Sequence, residues 1–496
     1  MRNWLFDSLL PTTLKNKTFL YQSNQKISYQ ALEHATAKFA NALLALGLQP
    51  DDRVAVQIDK CSDALVLYLA TIRAGGVFLP LNTAYVSSEV EYFLSNATPH
   101  IFICDPERES ELSEVITDTE IQLFTLNADG DGSWRRHCVG QSKSFINVPR
   151  DADDMAAILY TSGTTGRSKG AVLTHNNLLS NAQALARYWQ YQSSDILLHA
   201  LPVYHTHGLF VAVNVTLVSA ASMIFLKKFN VDEVIQTLPR STVMMGVPTF
   251  YSRLLASGSL NTELCKGMRL FISGSAPLLA EEHQRFELVT GHLILERYGM
   301  TETNMNTSNP YHQERRAGTV GLPLPDVEVR ITDQQSGVLK AYNETGMIEV
   351  KGPNVFKEYW KMPEKTAEEF TEDGFFITGD LGVQSADGYI SIVGRQKDLI
   401  ISGGLNVYPK DVEQVINECD CVVESAVIGI ADADFGEAVI AVIVCHAVID
   451  EQDINNSIRK NLASYKRPKQ LHFVDALPRN TMGKVQKNLL RETYTV

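Results

Sequence analysis

Long hydrophobic runs are missing from this sequence. No apolar stretch reaches the roughly 18–20 residues that a membrane-spanning helix needs. The first residues carry neither a signal-peptide core nor a lipidation motif. We therefore expect a cytoplasmic protein that has no membrane partner.

Positive charge is also in short supply. The chain has 44 Lys and Arg residues against 57 Asp and Glu residues, which gives a formal net charge of −13. This surplus of negative charge argues against nucleic acid or an anionic membrane as a partner. It does not exclude small anionic substrates, because a local cluster of basic residues can outweigh the net charge of the whole protein.

Cysteine is scarce, with seven residues in a chain of 496. Cys419 and Cys421 are close in sequence, but no second Cys or His pair stands at the spacing of a zinc site. An odd, scattered set is typical of thiols in a reducing compartment. We therefore expect reduced, mostly buried thiols and no metal site on them.

The sequence does contain a regular alternation of elements. At 496 residues it is too long for one ordinary core, and its 45% hydrophobic and 20% charged residues are typical of a globular enzyme. Short apolar strands at 53–58, 77–81 and 101–104 alternate with helical periodicity over 27–48 and 62–74. This pattern predicts an α/β fold with a large N-terminal domain of stacked, mostly parallel sheets flanked by helices.

The pattern of predicted secondary structure changes from about residue 318. Short alternating strands over 327–331, 347–350 and 388–393 predict a smaller β-rich subdomain. Beyond it, strands and a helical stretch predict a small C-terminal α/β domain over residues 397–496.

The most informative stretch is 160–170, Tyr-Thr-Ser-Gly-Thr-Thr-Gly-Arg-Ser-Lys-Gly. Its three glycines let the backbone approach a ligand closely, and its five Ser or Thr hydroxyls, Arg167 and Lys169 add hydrogen-bond donors. Such a loop can wrap a polyphosphate. It is not a Walker loop, because Lys169 is followed by Gly170 rather than by Ser or Thr. The alternative, a flexible surface loop, is disfavoured by the apolar strands on both sides.

This loop resembles the phosphate loop of the acyl- and aryl-CoA synthetases, which share a fold with firefly luciferase and with the adenylation domains of peptide synthetases. The resemblance extends over essentially the whole chain. It implies an AMP-forming acid–thiol ligase, in which ATP converts a carboxylate into an acyl-adenylate and the CoA thiolate then displaces AMP. The implied cofactors are ATP and Mg²⁺, with CoA as co-substrate. The implied domains are residues 1–396, which bind AMP, and a mobile C-terminal domain of residues 397–496.

The resemblance also assigns nucleotide-binding residues. Lys169 would be catalytic and hold the β- and γ-phosphates, together with Thr161, Ser162, Gly163, Thr164, Thr165 and Gly166. In the later Glu-Arg-Tyr-Gly-Met-Thr-Glu motif, Tyr298 would stack on adenine and Thr301 would contact the α-phosphate as a catalytic residue. Glu302, also catalytic, would hold Mg²⁺ with Thr165. The remaining nucleotide contacts would come from Ser275, Ala276, Pro277, Glu296, Arg297, Gly299 and Met300.

Positions nearer the C-terminus complete the implied nucleotide and CoA sites. Asp380 would bind the ribose, and Arg395 would share the ribose or the phosphates. Lys397 aligns with the family's hinge, about which the C-terminal domain turns between the two half-reactions. Gly403 and Gly404 would let a hairpin approach the pantetheine of CoA.

Lys484 stands in the last motif, Pro-Arg-Asn-Thr-Met-Gly-Lys-Val. The resemblance makes it the catalytic lysine that bridges the substrate carboxylate and the α-phosphate, a task that suits a flexible ammonium group. Because acetylation would remove the charge that this bridge needs, a lysine acetyltransferase acting on Lys484 is a candidate partner.

The acid-binding pocket is expected to be lined by His205, His207, Val247, Arg253 and Ser275, with His205 also a candidate catalytic residue. An arginine offers a planar fork for a carboxylate. We therefore expect Arg253 and Ser275 to bind the distal carboxylate of malonate. The alternative places Arg253 on a solvated helix face, where exposed arginines are common.

The stretches 204–208, 246–251 and 303–307 resemble those of the malonyl-CoA synthetases, so malonyl-CoA is the expected product. Methylmalonate or another small acid stays open, because one methyl group separates substrates by only ~1–3 kcal/mol. An adenylating enzyme that loads a carrier-protein thiol would share the first half-reaction. A non-catalytic nucleotide-binding relative is disfavoured, because Glu302 and Lys484 are both present.

Overall fold

The computed structural model describes residues 2–10, 15–22, 25–161, 168–402, 405–432, 435–446, 451–480 and 483–495. Within those ranges, no helix is long and apolar enough to span a membrane. Strands and helices alternate in the first part of the chain: α1 Phe6–Leu9, β1 Thr18–Gln22, β2 Gln25–Ser28, α2 Tyr29–Ala45, β3 Arg53–Gln57, α3 Ser62–Arg73, β4 Val77–Pro80, α4 Ser87–Ala97, β5 Ile101–Cys104, α5 Glu109–Val115, β6 Gln122–Thr125, α6 Ser133–His137, β7 Met155–Tyr160, β8 Gly170–Thr174 and α7 His175–Tyr188.

The alternation continues through the middle of the chain: β9 Ile196–His199, a π-helix over His207–Val213, α8 Asn214–Val218, β10 Ser222–Phe225, α9 Val231–Thr237, β11 Val243–Gly246, α10 Pro248–Ala256, β12 Leu270–Ser273, α11 Ala280–Thr290, β13 Leu295–Met300, β14 Asn304–Ser308 and β15 Leu322–Pro323. Strands then dominate: β16 Glu328–Thr332, β17 Gly346–Lys351, β18 Glu358–Tyr359, α12 Pro363–Glu368, β19 Phe376–Gln384 and β20 Ile390–Arg395. The last part contains β21 Ile400–Ser402, β22 Leu405–Val407, α13 Pro409–Asn417, β23 Val422–Asp432, β24 Gly436–Cys445, α14 Glu451–Asn461, β25 Gln470–Phe473 and α15 Lys487–Tyr494.

Two large sheets build the N-terminal part. One has the strand order β15-β14-β13-β12-β11-β9-β10-β1-β2, and it is parallel from β13 to β1. The other has the order β18-β8-β7-β4-β3-β5-β6, and it is parallel from β7 to β6. These sheets and their helices confirm the expected α/β fold class.

The helices α2 and α3 belong to the core that the two sheets share. Every residue of α3 after Ser62 is buried, as expected for a helix covered on all sides. One continuous apolar cluster contains both helices together with Phe78 of one sheet and Met223 of the other. At the start of α2, the Ser28 hydroxyl accepts a hydrogen bond from the N–H of Ala31 at 3.1 Å, which caps the helix.

Two smaller sheets follow in the chain. The antiparallel sheet β16-β17-β19-β20 is the expected β-rich subdomain. The second sheet has the order β22-β21-β24-β23, with β25 paired to β24. The described members of its two apolar clusters all lie between Ile400 and Tyr494. This fits a separate C-terminal unit, and the boundary at 396 stays a prediction.

The carboxyl ends of β9, β11, β12 and β13 meet at one edge of the large sheet. Their register places His199 beside Met245 and Gly246 beside Ser273. Ser273 in turn lies beside Glu296. Ligands of open α/β sheets bind outside the carboxyl ends of the strands, so this edge is where a site is expected.

Candidate active site

A chain of hydrogen bonds joins Tyr298, Asp380 and Arg395. The Tyr298 hydroxyl donates to Asp380 Oδ2 at 2.5 Å, and Arg395 Nε lies 2.5 Å from Asp380 Oδ1. The pairing of β19 with β20 sets Asp380 opposite Arg395. Burial and the nearby Asp380 carboxylate raise the pKa of Tyr298 well above its usual value. The contact of Asp380 with ribose and the stacking of Tyr298 on adenine stay predictions.

Glu296 lies on the same strand as Tyr298. Its Oε1 atom accepts a hydrogen bond from the N–H of Leu278 at 3.4 Å, and its buried Oε2 atom has no partner among the described residues. Burial raises the pKa of Glu296 to about 7. Leu278 directly follows Ser275, Ala276 and Pro277, so the loop after β12 contacts the β13 motif.

The turn that follows β13 is tight. A Cβ atom on Gly299 would lie 1.8 Å from the carbonyl oxygen of Asn304, so only glycine fits there. Met300 ends β13 and Thr301 begins the turn, and both residues are half-buried, whereas Glu302 is buried.

Glu302 is tied to a network that the motifs do not show. Its Oε1 atom accepts a hydrogen bond from the Tyr359 hydroxyl at 3.0 Å, and the same hydroxyl lies 2.7 Å from Glu369 Oε2. Glu369 Oε1 pairs with Lys169 Nζ at 2.7 Å. The Lys169 ammonium also lies 4.1 Å from the centre of the Tyr359 ring. The lysine of the phosphate loop is therefore linked to Glu302 through two side chains.

The surroundings of Glu302 fit the implied Mg²⁺. Burial raises the pKa of Glu302, and no Lys or Arg of the described chain lies within ion-pair distance of its carboxylate. A cation would therefore be favourable there. The described residues contain no group of three or more His, Cys, Asp or Glu side chains that could hold a metal alone. Mg²⁺ commonly shares its oxygen ligands with substrate phosphates.

Part of the predicted phosphate loop lies outside the described residues, namely Ser162, Gly163, Thr164, Thr165, Gly166 and Arg167, and so do Gly403 and Gly404. The ends of the loop are held together. The N–H of Thr161 donates to the carbonyl of Lys169 at 2.9 Å, and the Tyr92 hydroxyl donates to the carbonyl of Ser168 at 2.7 Å. The described flanks are therefore fixed to the neighbouring helix α4.

Arg297 is a buried arginine of the site with side-chain nitrogen atoms that are unpartnered among the described residues. It is 2% exposed, and its Nε and Nη2 atoms have no hydrogen-bond partner in the described part of the chain. Its guanidinium lies against Gly274, where a Cβ atom would come within 2.5 Å of the Cζ atom. Burial lowers the pKa of Arg297 to about 9, which still leaves a cation at neutral pH. A buried, unpaired cation is costly, and it is well suited to bind a carboxylate.

His205, His207 and Ser275 lie near this cation. The Nδ1 atom of His207 is 3.3 Å from Ser275 Oγ, and the backbone N–H of His207 donates to Nδ1 of His205 at 3.3 Å. Burial and the charge of Arg297 lower the pKa of His205 to about 4 and that of His207 well below its usual value. Both rings are therefore neutral at neutral pH and can exchange hydrogen bonds with a ligand. Ser275 has a φ of +72°, a strained conformation that tends to persist at functional sites.

Arg253 does not join this cluster. It is exposed on α10, and its guanidinium forms no hydrogen bond or ion pair with any residue that the structure describes. The buried face of α10 is formed by Pro248, Tyr251, Leu254 and Leu255. Arg253 lies off this face, so the expected role in binding a distal carboxylate is not supported. Val247, also predicted for the pocket, is buried at the end of β11.

Lys484 belongs to the C-terminal part of the chain and lies near Arg395 of the site. A Cβ atom on Gly483 would lie 3.0 Å from Thr249 Oγ1, which shows how closely this turn approaches α10. Lys484 is exposed as a residue, yet burial of its charged group in the cleft and the nearby Arg395 lower its pKa to about 8. The same two causes lower the pKa of Lys397 to about 8. Three cationic side chains thus gather in the cleft, which favours an anionic ligand.

Comparisons with known proteins match nearly the whole chain. A model of the AMP-binding enzyme family matches residues 11–360, and one of the AMP-binding enzyme C-terminal domain matches residues 411–484. A malonate–CoA ligase from Arabidopsis thaliana is 34% identical over 476 residues, with 89% of this chain and 78% of that protein covered.

Solved structures agree with this match. ATP-bound MatB from Rhodopseudomonas palustris is 55% identical and has a TM-score of 0.98, with 100% of this chain and 99% of that chain covered. The apo form of MatB, at the same identity and coverage, has a TM-score of 0.86. The overall arrangement of this chain is therefore more similar to the ATP-bound form.

The variant Tyr359→Phe tests the network around Glu302. It removes the hydroxyl between Glu302 and Glu369 and keeps the ring on which Lys169 packs. If Glu302 holds the implied Mg²⁺, the Mg²⁺ concentration for half-maximal pyrophosphate release should rise about 10-fold, since groups that orient a metal-binding side chain typically contribute 10- to 100-fold. The matched control is Tyr342→Phe, at a tyrosine that is 62% exposed. The same Mg²⁺ dependence in both variants would contradict this role.

Proposed function

The chain belongs to the AMP-binding enzyme family, and from that premise we propose that it is a malonate–CoA ligase. Malonate and ATP form malonyl-adenylate and pyrophosphate, and the CoA thiolate then displaces AMP to give malonyl-CoA. The match to a plant malonate–CoA ligase supports this choice of acid. Among the described residues, no feature of the site favours the alternatives of another small acid or of a carrier-protein thiol as acceptor.

The observation that carries the proposal is the buried, unpaired guanidinium of Arg297 beside His207 and Ser275. A fatty or aromatic acid would leave this cation without a partner, at a cost that disfavours its binding. A short dicarboxylate can place its distal carboxylate on Arg297 and present the other carboxylate to the nucleotide. We therefore propose that Arg297, rather than Arg253, binds the distal carboxylate together with Ser275.

Adenylation brings two anions together, the reacting carboxylate and the α-phosphate. In our proposal Lys484 lies between them, Thr301 contacts the α-phosphate, and Lys169 holds the outer phosphates. Mg²⁺ bound to Glu302 would neutralise phosphate charge. His205 is neutral at neutral pH, so it acts as a hydrogen-bonding group that orients the acid. Positioning and preorganised charge account for the chemistry without a covalent intermediate on the enzyme.

The second half-reaction needs CoA to reach the adenylate. We propose that the C-terminal part turns about Lys397 and brings Gly403 and Gly404 to the pantetheine. The TM-scores of 0.98 against ATP-bound MatB and 0.86 against apo MatB support a difference in overall arrangement between the two forms of that protein. Few residues need to absorb such a rotation.

A panel of acids tests the proposed function. Pyrophosphate release is measured with acetate, butyrate, malonate, methylmalonate and succinate, in the presence of ATP, Mg²⁺ and CoA. We expect malonate to be preferred, with some activity on methylmalonate because one methyl group discriminates weakly. A preference for acetate or butyrate would contradict the dicarboxylate pocket.

The arginine assignment is tested by two matched variants. Arg297→Met should lower kcat/KM for malonate by about 100-fold, because the variant leaves the distal carboxylate buried and unpaired. The same variant should change activity with butyrate much less. Arg253→Met, at an exposed arginine, should leave both activities unchanged. An equal loss for both acids in Arg297→Met, or a malonate-specific loss in Arg253→Met, would refute the assignment.

Lys484 is tested by separating the half-reactions. We expect Lys484→Ala to abolish malonyl-adenylate formation, because the bridging charge is lost. It should spare much of thioester formation from malonyl-adenylate supplied to the enzyme. Each half-reaction is measured in a single-turnover assay. Equal losses in the two assays would show that the lysine does not have this separate role.

Acetylation would act on the same charge. We propose that Lys484 is a substrate of a lysine acetyltransferase and that the protein works in the cytoplasm. Acetylated protein should lose adenylation in proportion to the modified fraction, since the neutral amide cannot bridge two anions. Intact-mass analysis combined with activity measures this relation. Full activity at complete modification of Lys484 would contradict the proposal that its acetylation stops adenylation.

A further inference from the structure

Lys60 connects the two large sheets at the edge that carries the site. It follows β3 of the seven-stranded sheet, and its Nζ atom lies 2.8 Å from Nδ1 and 2.9 Å from the carbonyl oxygen of His199 in the nine-stranded sheet. The ammonium also lies 4.3 Å from the ring centre of Phe225. Lys60 forms no ion pair with a residue that the structure describes, so electrostatic pairing does not explain its position.

The hydrogen bonds of His199 select one tautomer. Its Nε2 atom lies 2.8 Å from the carbonyl oxygen of Gly208, and a carbonyl can only accept, so Nε2 must carry the proton. Burial and the nearby Lys60 lower the pKa of His199 well below its usual value, which keeps the ring neutral. Nδ1 is then an acceptor, and the hydrogen bond at Nδ1 comes from Lys60.

The carbonyl at the end of this chain belongs to the acid-binding loop. Gly208 directly follows His207, and a Cβ atom on Gly208 would lie 1.9 Å from the carbonyl oxygen of Pro202. The loop is therefore clamped on two sides, by Pro202 and by His199. The π-helix that begins at His207 is a form common at functional sites.

We propose that Lys60 is a positioning residue for the acid-binding pocket: through His199 it fixes the carbonyl of Gly208 and with it the loop that carries His205 and His207. This inference rests on the proposed function, in which that loop binds the acid. Lys60 does not touch the substrate in this role. Its amino group supplies the donor that holds His199 in the orientation needed to bind Gly208.

A role in stability alone does not explain a lysine at this place. Burying a lysine amino group without a carboxylate partner is less favourable than burying an apolar side chain of similar size. A methionine would fill much of the same volume beside Phe225 without that cost. What a methionine lacks is the hydrogen bond to Nδ1, and the orientation of a second group through that bond is typical of residues that support a binding site.

Steady-state kinetics test the proposal with three variants. Lys60→Met should raise the KM for malonate about 10-fold, less than the ~100-fold that a 1 Å misplacement can cost, and should leave the KM for ATP unchanged. Lys60→Arg keeps a donor at the same place and should recover most of the loss. The matched control is Lys227→Met, at a lysine whose side chain is 62% exposed, which should behave as the wild type.

A double variant tests whether Lys60 acts through His199. His199→Leu removes both ring nitrogens. If the two residues act in series, Lys60→Met combined with His199→Leu should be no worse than the worse single variant. Multiplying losses would mean independent effects and would overturn the proposal. So would an unchanged malonate KM in Lys60→Met, or equal rises of the KM values for malonate and ATP.

A measurement on the wild-type protein keeps the proposal testable if Lys60→Met does not fold. In protein labelled with ¹⁵N-histidine, His199 should carry its proton on Nε2, and a ring protonated on Nδ1 would overturn the proposal. The acid panel is run first on the wild type, and KM effects are then measured with whichever acid it prefers. Failure of the malonate assignment therefore shows in the wild type, and failure of the Lys60 role shows in the variants.

Discussion

Burying the guanidinium of Arg297 without a carboxylate partner costs free energy that the rest of the fold must offset. The penalty for one buried ion is several kcal/mol even after relaxation, a large share of the ~5–15 kcal/mol that stabilises a typical domain. The apolar cluster shared by the two large sheets holds the strand that carries this cation. In the proposed function, the distal carboxylate of malonate supplies the negative charge that this buried cation lacks.

The neighbours of Arg297 do not compete with a ligand for it. His205 and His207 stay neutral because burial and the arginine itself lower their pKa. Two carboxylates of the site are engaged elsewhere, Asp380 in its pair with Arg395 and Glu302 with the Tyr359 hydroxyl. Glu296 lies on the opposite face of its strand from Arg297. In the proposed function, the half of the cleft that binds the acid thus keeps its positive charge, and the half that binds the nucleotide offers carboxylate oxygens to the ribose and to Mg²⁺.

Short sequence patterns predict the parts of the site that are local in the chain. Asp380 and Arg395 belong to adjacent antiparallel strands, so their motifs are close in sequence and meet in the fold. The resemblance assigns Arg297 to the nucleotide with the rest of its motif. Side chains alternate between the faces of a strand, so Arg297 lies on the other face from Glu296 and Tyr298. That alternation is the sequence signal that separates the two roles.

Contacts between distant segments leave no such pattern. Lys169 and Glu369 are 200 positions apart, and Lys60 and His199 are 139 positions apart. Closing a long loop costs little more than closing a short one, so these contacts are as available to the fold as local ones. Both lie in the part of the chain that precedes the proposed hinge, whereas Lys484 follows it. In the proposed function, a pocket fixed by such long-range contacts keeps its selectivity for the acid while the C-terminal part turns. Selectivity would then reside in the part before the hinge, and the order of the two half-reactions would depend on the part after it.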